Sequence, residues 1–320
     1  MSRWYLGIDT SNYRTSAAIF DAEHMEWHNS GRLLDVPDGA IGLRQSDALF
    51  QHTLHLHEMI AGLPGGIGKE IQAVCVSTRP RAVEGSYMPC FLAGENVARS
   101  VAHLLGVPLY TCSHQQGHLA AAALSAQALS WLGTQEFYAW HLSGGTTELL
   151  HVAPGADGLP VAECIGGTTD LAAGQLVDRA GALLRLHFPA GEALEQLAKQ
   201  SQSKERFQPK VADCRFSLSG MENKIRDLCA RGTAPEDVAS FTVRTICAAV
   251  ERATAQAMER KKLPVLCAGG VMSNRLIQRR MHEHFGARFA EPVLSGDNAV
   301  GAAVLAAVQH GEILDRKSVV

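Results

Sequence analysis

The chain contains no run approaching the roughly 20 apolar residues needed to span a bilayer, so no membrane-crossing helix is expected. It also lacks any C-x-x-C pair. Its cysteines, Cys75, Cys90, Cys112, Cys164, Cys214, Cys229, Cys247 and Cys267, are scattered, several of them in apolar stretches such as AVCVS and PVLCAGG. That distribution reads as buried free thiols, and neither a disulfide framework nor a zinc ribbon is expected. An excess of charge of one sign is missing too. A net charge of −3 argues against a protein that grips nucleic acid mainly through its phosphates, while leaving room for a local basic patch. Arg275, Arg279 and Arg280, and the group Lys204, Arg206 and Lys210, read as solvated faces. The opening MSRWYLGIDTSNYR has no charged n-region, long apolar segment and small-residue cleavage site, so a cytoplasmic protein is expected.

What is present is an alternation of strand-like and helix-like segments, the pattern of an α/β protein. WYLGI and TSAAIF read as two strands joined by the turn D-T-S-N. A helical pattern over about 46–63 follows, then the strand IQAVCVST, a helix over 91–105 and the strand VPLYTCS. At HQQGH the chain turns into an alanine-rich helix, LAAAALSAQALSWL. Near the middle the opening recurs as FYAWHLSGGTTELLHVAPG: strand, small-residue turn, strand. A third such place, LPVLCAGGVMSNRLIQRRM, is a strand, a Gly-Gly turn and a helix capped by Ser or Asn. PVLSGDNAVGAAVLAAVQHG closes the chain with a turn and a small-residue helix. The repeated opening suggests two lobes of similar build.

Turns of this kind can present backbone N–H groups to an anion, with glycine where a Cβ would hold a phosphate off. Asp9–Asn12 and Ser143–Thr147 could clamp a phosphate chain, and Ala268–Asn274 could carry a base and ribose at a helix N-terminus. His114 and His118, at i and i+4 of one helix face, can ligate one metal ion. A carboxylate would complete a two-histidine, one-carboxylate set, and Asp297 in SGDNAVG is the candidate. The pairs His55/His57 and His282/His284 read as surface residues. A zinc peptidase is disfavoured, because position 115 is Gln where H-E-x-x-H needs its glutamate.

In order along the chain these motifs resemble the tRNA threonylcarbamoyladenosine synthases, the TsaD-like proteins once called O-sialoglycoprotein endopeptidases. HQQGHL is similar to H-x-E-G-H-L, and WHLSGGTTEL to the V-S-G-G-H-T-Q-L loop. IGGTTDLAAGQLVDRAGALLRLHFPAG resembles G-E-T-I-D-D-A-A-G-E-A-F-D-K followed by L-L-G-L-x-Y-P-G-G. FSLSGMENK is similar to F-S-F-S-G-L-K-T, AGGVMSNRLIQRRM to G-G-V-x-A-N-x-x-L-R, and SGDNAVGAA to C-T-D-N-A-A-M-I-A. The resemblance runs from LGIDTS to the final helix.

It implies a two-lobed actin-like, sugar-kinase-like (ASKHA) α/β fold with a duplicated ribonuclease-H-like core. The N-terminal lobe would be residues 1–110, with the C-terminal helix at about 298–320 packing back on it, and the other lobe 111–297. It further implies His114, His118 and Asp297 as ligands of one divalent transition metal, iron ahead of zinc. Leu142, Ser143, Gly144, Gly145, Thr146, Asp178, Gly191 and Asn274 would contact an adenylate or ATP-type nucleotide. The implied reaction is transfer of a threonylcarbamoyl group from its adenylate to the N6 amine of the adenosine 3′ of the anticodon in tRNA. The implied partners are tRNA, a smaller homologous subunit and an ATPase.

The chain departs from the family pattern at definite places. E-T-S-C-D-E-T becomes Asp9-Thr10-Ser11-Asn12-Tyr13-Arg14-Thr15, so Tyr13 and Arg14 replace an acidic pair. T-x-G-P-G-L-x-x-G becomes Thr78-Arg79-Pro80-Arg81-Ala82-Val83-Glu84-Gly85. Leu171, Gln175 and Thr146 replace an Asp, a Glu and a loop His. Two alternatives follow: a catalytically diverged paralogue that binds nucleotide and metal as a regulator or assembly partner, and a transferase whose Arg14, Arg79 and Arg81 hold an anionic substrate. No catalytic residue is assigned.

Overall fold

WYLGID forms β1 (Trp4–Asp9), buried at every position, which is why it reads as an unbroken apolar run. Helices cover both of its faces, so the strand has no solvent side to demand alternation. The computed structural model describes residues 2–11, 13–36, 43–294 and 299–312. β1 pairs antiparallel with β2 (Arg14–Asp21), from Trp4 opposite Asp21 to Asp9 opposite Ser16. β2 continues the meander into β3 (Glu26–Leu33). After α1 (Gln45–Ala61) the chain returns as β4 (Ile71–Arg79), parallel to β1. After α2 (Phe91–Leu105) it returns as β5 (Leu109–Ser113), parallel to β4. The sheet order is therefore β3-β2-β1-β4-β5. Leu6, Ile8, Val74 and Val76 meet Leu56 of α1 and Ala98 and Ala102 of α2 in one buried cluster.

The pattern then repeats. After α3 (His114–Ser125) come β6 (Phe137–Leu142), β7 (Thr147–Pro154) and β8 (Pro160–Thr168), followed by α4 (Ala173–Leu183) and α5 (Gly191–Ala198). A two-residue β9 (Arg215–Phe216), α6 (Ser219–Ala230) and the long α7 (Pro235–Arg260) precede β10 (Val265–Ala268), α8 (Arg275–Phe285), β11 (Arg288–Phe289) and α9 (Val300–Gln309). The second sheet runs β11-β10-β6-β7-β8-β9. Read from β8 to β11 it repeats the first sheet's order, again with an antiparallel second strand (β7 on β6) and a parallel return (β10 on β6). This is the duplicated ribonuclease-H-like core expected from the two strand–turn–strand openings.

Two compact units result: Met1–Gln135 with Ala153–Ala162 and Val293–Val320, and Glu136–Val152 with Glu163–Pro292. The sequence reading placed a boundary at 110; the first unit runs on through α3 because that helix packs along α9. The contact is so close that a Cβ built on Gly301 of α9 would lie 1.8 Å from the carbonyl oxygen of Gly117 in α3. All eight cysteines are free thiols, and six of them are buried.

Three expectations needed adjustment. The alanine-rich helix begins earlier, at His114, and ends at Ser125, where Gln127 adopts a positive φ of 55° and the chain turns into a short 3-10 segment. Strands β3 and β8 were not foreseen; both are largely exposed or half-buried and lack an apolar period. Neither was α7, whose 26 residues are buried around much of the helix and so carry little amphipathic signal.

In the second unit the start of α6 is held by Asp170. Its carboxylate accepts from the Ser217 and Ser219 hydroxyls at 2.5 and 2.7 Å and from the Leu218 and Leu171 amides at 2.9 and 2.6 Å. Burial would raise the carboxyl's pKa, but these hydrogen bonds outweigh it and hold the pKa well below the usual range. Asp170→Ala is expected to cost about 1–2 kcal/mol, the usual worth of a helix cap. Urea unfolding would measure it; an unchanged midpoint would contradict the role.

Candidate functional site

The first group of site residues is set by the start of α3. Ser113 and Gln116 form a capping box: the Ser113 hydroxyl accepts from the Gln116 amide at 3.2 Å, and Gln116 Oε1 accepts from the Ser113 amide at 2.8 Å. His114 is thereby the first residue of the helix, and His118 lies one turn on, on the same face. Their Nε2 atoms are 2.8 Å apart, with the rings at 74°.

His114 Nδ1 lies 3.0 Å from a carboxylate oxygen of Asp9, which ends β1 and is fully buried. Asp9 also accepts from the Ser11 hydroxyl at 2.8 Å and from the Ser77 hydroxyl. Burial pushes the Asp9 carboxyl up, but the His114 charge and the hydrogen bonds from His114, Ser77 and Ser11 outweigh it and hold its pKa below the usual range. In its neutral form, with the proton on Nδ1 and donated to Asp9, His114 presents the Nε2 lone pair, the arrangement of a histidine oriented by a carboxylate for a metal. Two nitrogens bound to one tetrahedral ion at about 2.0–2.1 Å would stand about 3.3 Å apart, so a small opening of the pair would admit the ion.

Asp297, the third expected ligand, lies outside the described residues. Among the described residues, no three His, Cys, Asp or Glu side chains form a metal-ligating group. Asp9 was expected only as part of a phosphate-clamping turn, whose Asn12 lies outside the described residues; its place behind His114, and the parts played by Ser77 and Gln116, were not expected. The signal for Gln116 was present as S-x-x-Q, whereas that for Asp9 needs the sheet, since Ser77 and His114 are far from it in sequence.

Tyr13 and Arg14 do not reproduce the chemistry of an acidic pair. The Tyr13 carbonyl accepts from the Leu34 amide, and the Arg14 guanidinium lies over Gly31 of β3, within 2.6–3.0 Å of where a Cβ there would sit. The buried Nε of Arg14 has no hydrogen-bond partner among the described residues.

Nearby, His52 of α1 is fully buried, with Nδ1 2.8 Å from the Thr15 hydroxyl. Burial lowers its pKa to about 4 from 6.5. The unfolded chain therefore takes up this proton first, and the stability held above pH 6.5 is lost as pH falls toward 4. The loss at full protonation is roughly 3 kcal/mol. His52→Gln is expected to flatten the fall in unfolding free energy between pH 7 and pH 5; an equally steep fall would show that other groups cause it.

In the second unit, the turn Ser143–Thr146 leaves β6 at the fully buried Leu142. The Ser143 amide donates to the Thr146 carbonyl at 2.9 Å, and the Thr146 amide to the Ser143 hydroxyl at 3.1 Å. The turn thus uses its own outer amides. Among the described residues the Gly144 and Gly145 amides make no hydrogen bond, and a Cβ at either would meet nothing within 4 Å. The space above these glycines is open.

The helix α4 starts against the same turn, with the Gly174 amide donating to the Ser143 carbonyl at 3.2 Å. Gly269, at φ 98°, lies against the end of β6; a Cβ there would be 2.1 Å from the Leu142 carbonyl oxygen. That contact brings the Ala268–Asn274 turn beside the Ser143 turn. Asn274 caps α8, its side-chain oxygen accepting from the Leu276 and Ile277 amides at 3.0 and 3.3 Å. Only its amide nitrogen is left to face a ligand. Asp178 of α4 accepts from the Ala190 amide at 3.0 Å, which fixes the residue before Gly191, where a Cβ would again meet nothing.

The sequence model of the family described as tRNA N6-adenosine threonylcarbamoyltransferase, TsaD, matches residues 51–304. The chain belongs to this family. The TsaD family is of acyltransferase type, and the match spans both histidines and every second-unit site residue named above.

Among solved structures, full-length HypF in its phosphate- and nucleotide-bound form is similar at a TM-score of 0.56 and 13% identity, over 98% of this chain and 56% of that one. The chain thus spans little more than half of HypF's length. Component A of the (R)-2-hydroxyglutaryl-CoA dehydratase of Acidaminococcus fermentans is similar at a TM-score of 0.50 and 15% identity, over 97% of this chain and 99% of that one. At these identities the likeness is one of fold: the actin-like ASKHA architecture. No helix among the described residues is long and apolar enough to cross a membrane.

Proposed function

We propose that this TsaD-family chain transfers a threonylcarbamoyl group from threonylcarbamoyl-adenylate to the N6 amine of the adenosine 3′ of the anticodon in tRNA. The observation that carries the reading is the convergence of His114 and His118 Nε2, with His114 oriented by buried Asp9, in a chain of this family. His114 and His118, with Asp297 as the third ligand, would hold one divalent transition metal, iron ahead of zinc. Bound there, such an ion supplies a Lewis acid for a carbonyl or phosphoryl oxygen.

The residues of this chain do the rest. The open Gly144 and Gly145 amides offset charge on the departing adenylate. Asp178 shapes the loop at Gly191, and Asn274 offers its amide nitrogen. The acceptor nitrogen attacks the carbamoyl carbon, the bond from that carbon to the phosphate oxygen breaks, AMP leaves with the bonding pair, and the nitrogen's proton passes to water. An adenosine in a single-stranded RNA loop can present its N6 edge to such a site. A smaller homologous subunit and an ATPase are proposed as partners, and the cytoplasm as the compartment.

A second reading is a diverged paralogue that binds nucleotide and metal without transferring. The placement of Arg14 over Gly31, where the family pattern has a carboxylate, favours it: a guanidinium cannot accept the acceptor's proton. One experiment separates the two. Purified protein, threonylcarbamoyl-adenylate and unmodified tRNA are incubated with and without the family's partner subunits, and the digested RNA is weighed by mass spectrometry. The threonylcarbamoyl mass on the anticodon-loop adenosine supports transfer. Its absence from protein that still binds the adenylate supports the paralogue.

A further inference from the structure

We propose that the loop joining α4 to α5 contacts single-stranded RNA, with Phe188 stacking on an unpaired base and Arg185 pairing with a backbone phosphate. The proposal deepens the reading above, since it takes RNA as the acceptor.

The loop is built to point outward. The end of α4 closes with the Leu186 amide donating to the Gly181 carbonyl at 2.8 Å and the Arg185 amide to the Ala182 carbonyl at 3.1 Å. Between these bonds the chain needs a left-handed residue, the place where helices ordinarily put glycine. Arg185 occupies it, at φ 60°. The family pattern L-L-G-L has glycine there, so this chain accepts a conformational cost and gains a cation on the surface. Arg185 makes no ion pair among the described residues.

Leu186 then turns back toward Gly181, and the Ala190 amide is held by Asp178. Between these two anchors His187, Phe188 and Pro189 are all exposed. Phe188 is 83% exposed, a value matched only by Leu104 among the large hydrophobic side chains described.

An apolar ring displayed this fully, on a loop pinned at both ends, has a face ready for a planar partner. The residues exposed beside it in the chain are Arg185, His187 and Pro189, which offer a cation and polar groups and no second large apolar side chain. A nucleic-acid base needs only one ring face, and its phosphate needs one cation. A single local cation also suits a chain whose net charge of −3 argues against binding mainly through phosphates. The loop leads directly into Gly191, so a base stacked on Phe188 would be held beside the loop assigned to the adenylate.

The test is the affinity of the full-length protein for a fluorescently labelled, unmodified anticodon stem–loop RNA. Phe188→Ala is expected to weaken binding about tenfold. Phe188→Tyr and Phe188→Trp should stay within about twofold of wild type, and the new tryptophan's emission should change on adding RNA. Arg185→Gly, which suits the left-handed turn, should keep stability while lowering the salt slope of RNA binding by about 1.

The proposal is overturned if Phe188→Ala leaves RNA affinity unchanged, or if wild-type protein does not bind the RNA. It is also overturned if Phe188→Ala weakens binding of AMP or ATP but not of RNA, which would put the ring under the donor's base. Its failure is distinct from failure of the proposed reaction. Product formed by an enzyme whose RNA affinity ignores Phe188 keeps the reaction and removes this contact. RNA held through Phe188 without product does the reverse.

Discussion

His114→Ala is expected to remove bound metal and to reduce threonylcarbamoyl transfer by at least 100-fold, while leaving the chain folded. The physical reason lies in the pairing of His114 with Asp9. One imidazole face is fixed by a buried carboxylate at 3.0 Å, so its Nε2 has a single direction, toward His118. Removing that ring deletes a ligand and leaves Asp9 with the Ser11 and Ser77 hydroxyls.

Elemental analysis of the purified protein is the direct check: about one transition metal per wild-type chain, and close to none in the variant. Asp9→Asn should act through His114, lowering metal affinity by about 10- to 100-fold without removing a ligand. Metal content restored to Asp9→Asn by excess ion, but never to His114→Ala, would distinguish an orienting residue from a ligand. Wild-type protein that holds no metal, with or without added iron or zinc, would sink the assignment.

Gly301→Ala should have the largest effect on stability. The added Cβ would lie 1.8 Å from the Gly117 carbonyl oxygen, and both partners are helix backbone, so no side chain can move aside. Overpacking typically costs 1–3 kcal/mol; a clash with backbone on both sides should reach about 3 kcal/mol or more. For a chain of 320 residues that corresponds to roughly 4–5 °C in melting temperature.

Because α3 carries the histidine pair, separating it from α9 should also reduce metal content in the protein that does fold. Gly144→Ala is the matched control. A Cβ there meets nothing within 4 Å, so the melting temperature should hold while adenylate affinity falls. A Gly301→Ala protein as stable as wild type would mean that the two helices can part at little cost.

Much of the architecture was legible because its causes are local. Buried strands such as WYLGID and IQAVCVST announce themselves as short apolar runs, and the helix over Phe91–Leu105 has a clear period and ends at a left-handed Gly106. Asn274 reads as a cap before any fold is known, and it is one. The i, i+4 spacing of His114 and His118 was enough to place both on one helix face. β3 and α7 escaped for opposite reasons: an edge strand half in solvent has too little apolar pattern, and a helix buried around much of its surface has too little contrast.

By itself the sequence determined the α/β class, the duplication and the residue types at the glycine-rich turns, which rest on composition and spacing within a few turns of chain; the family came from the resemblance of its motifs to known proteins. The tertiary structure alone decided which of those groups remain available for chemistry. It set Asp9 behind His114, took up the Asn274 oxygen and the Thr146 amide in local hydrogen bonds, and laid Arg14 over Gly31. A hydrogen bond or a close approach between residues such as Asp9 and His114 depends on sheet register and helix packing, which no single stretch of sequence contains.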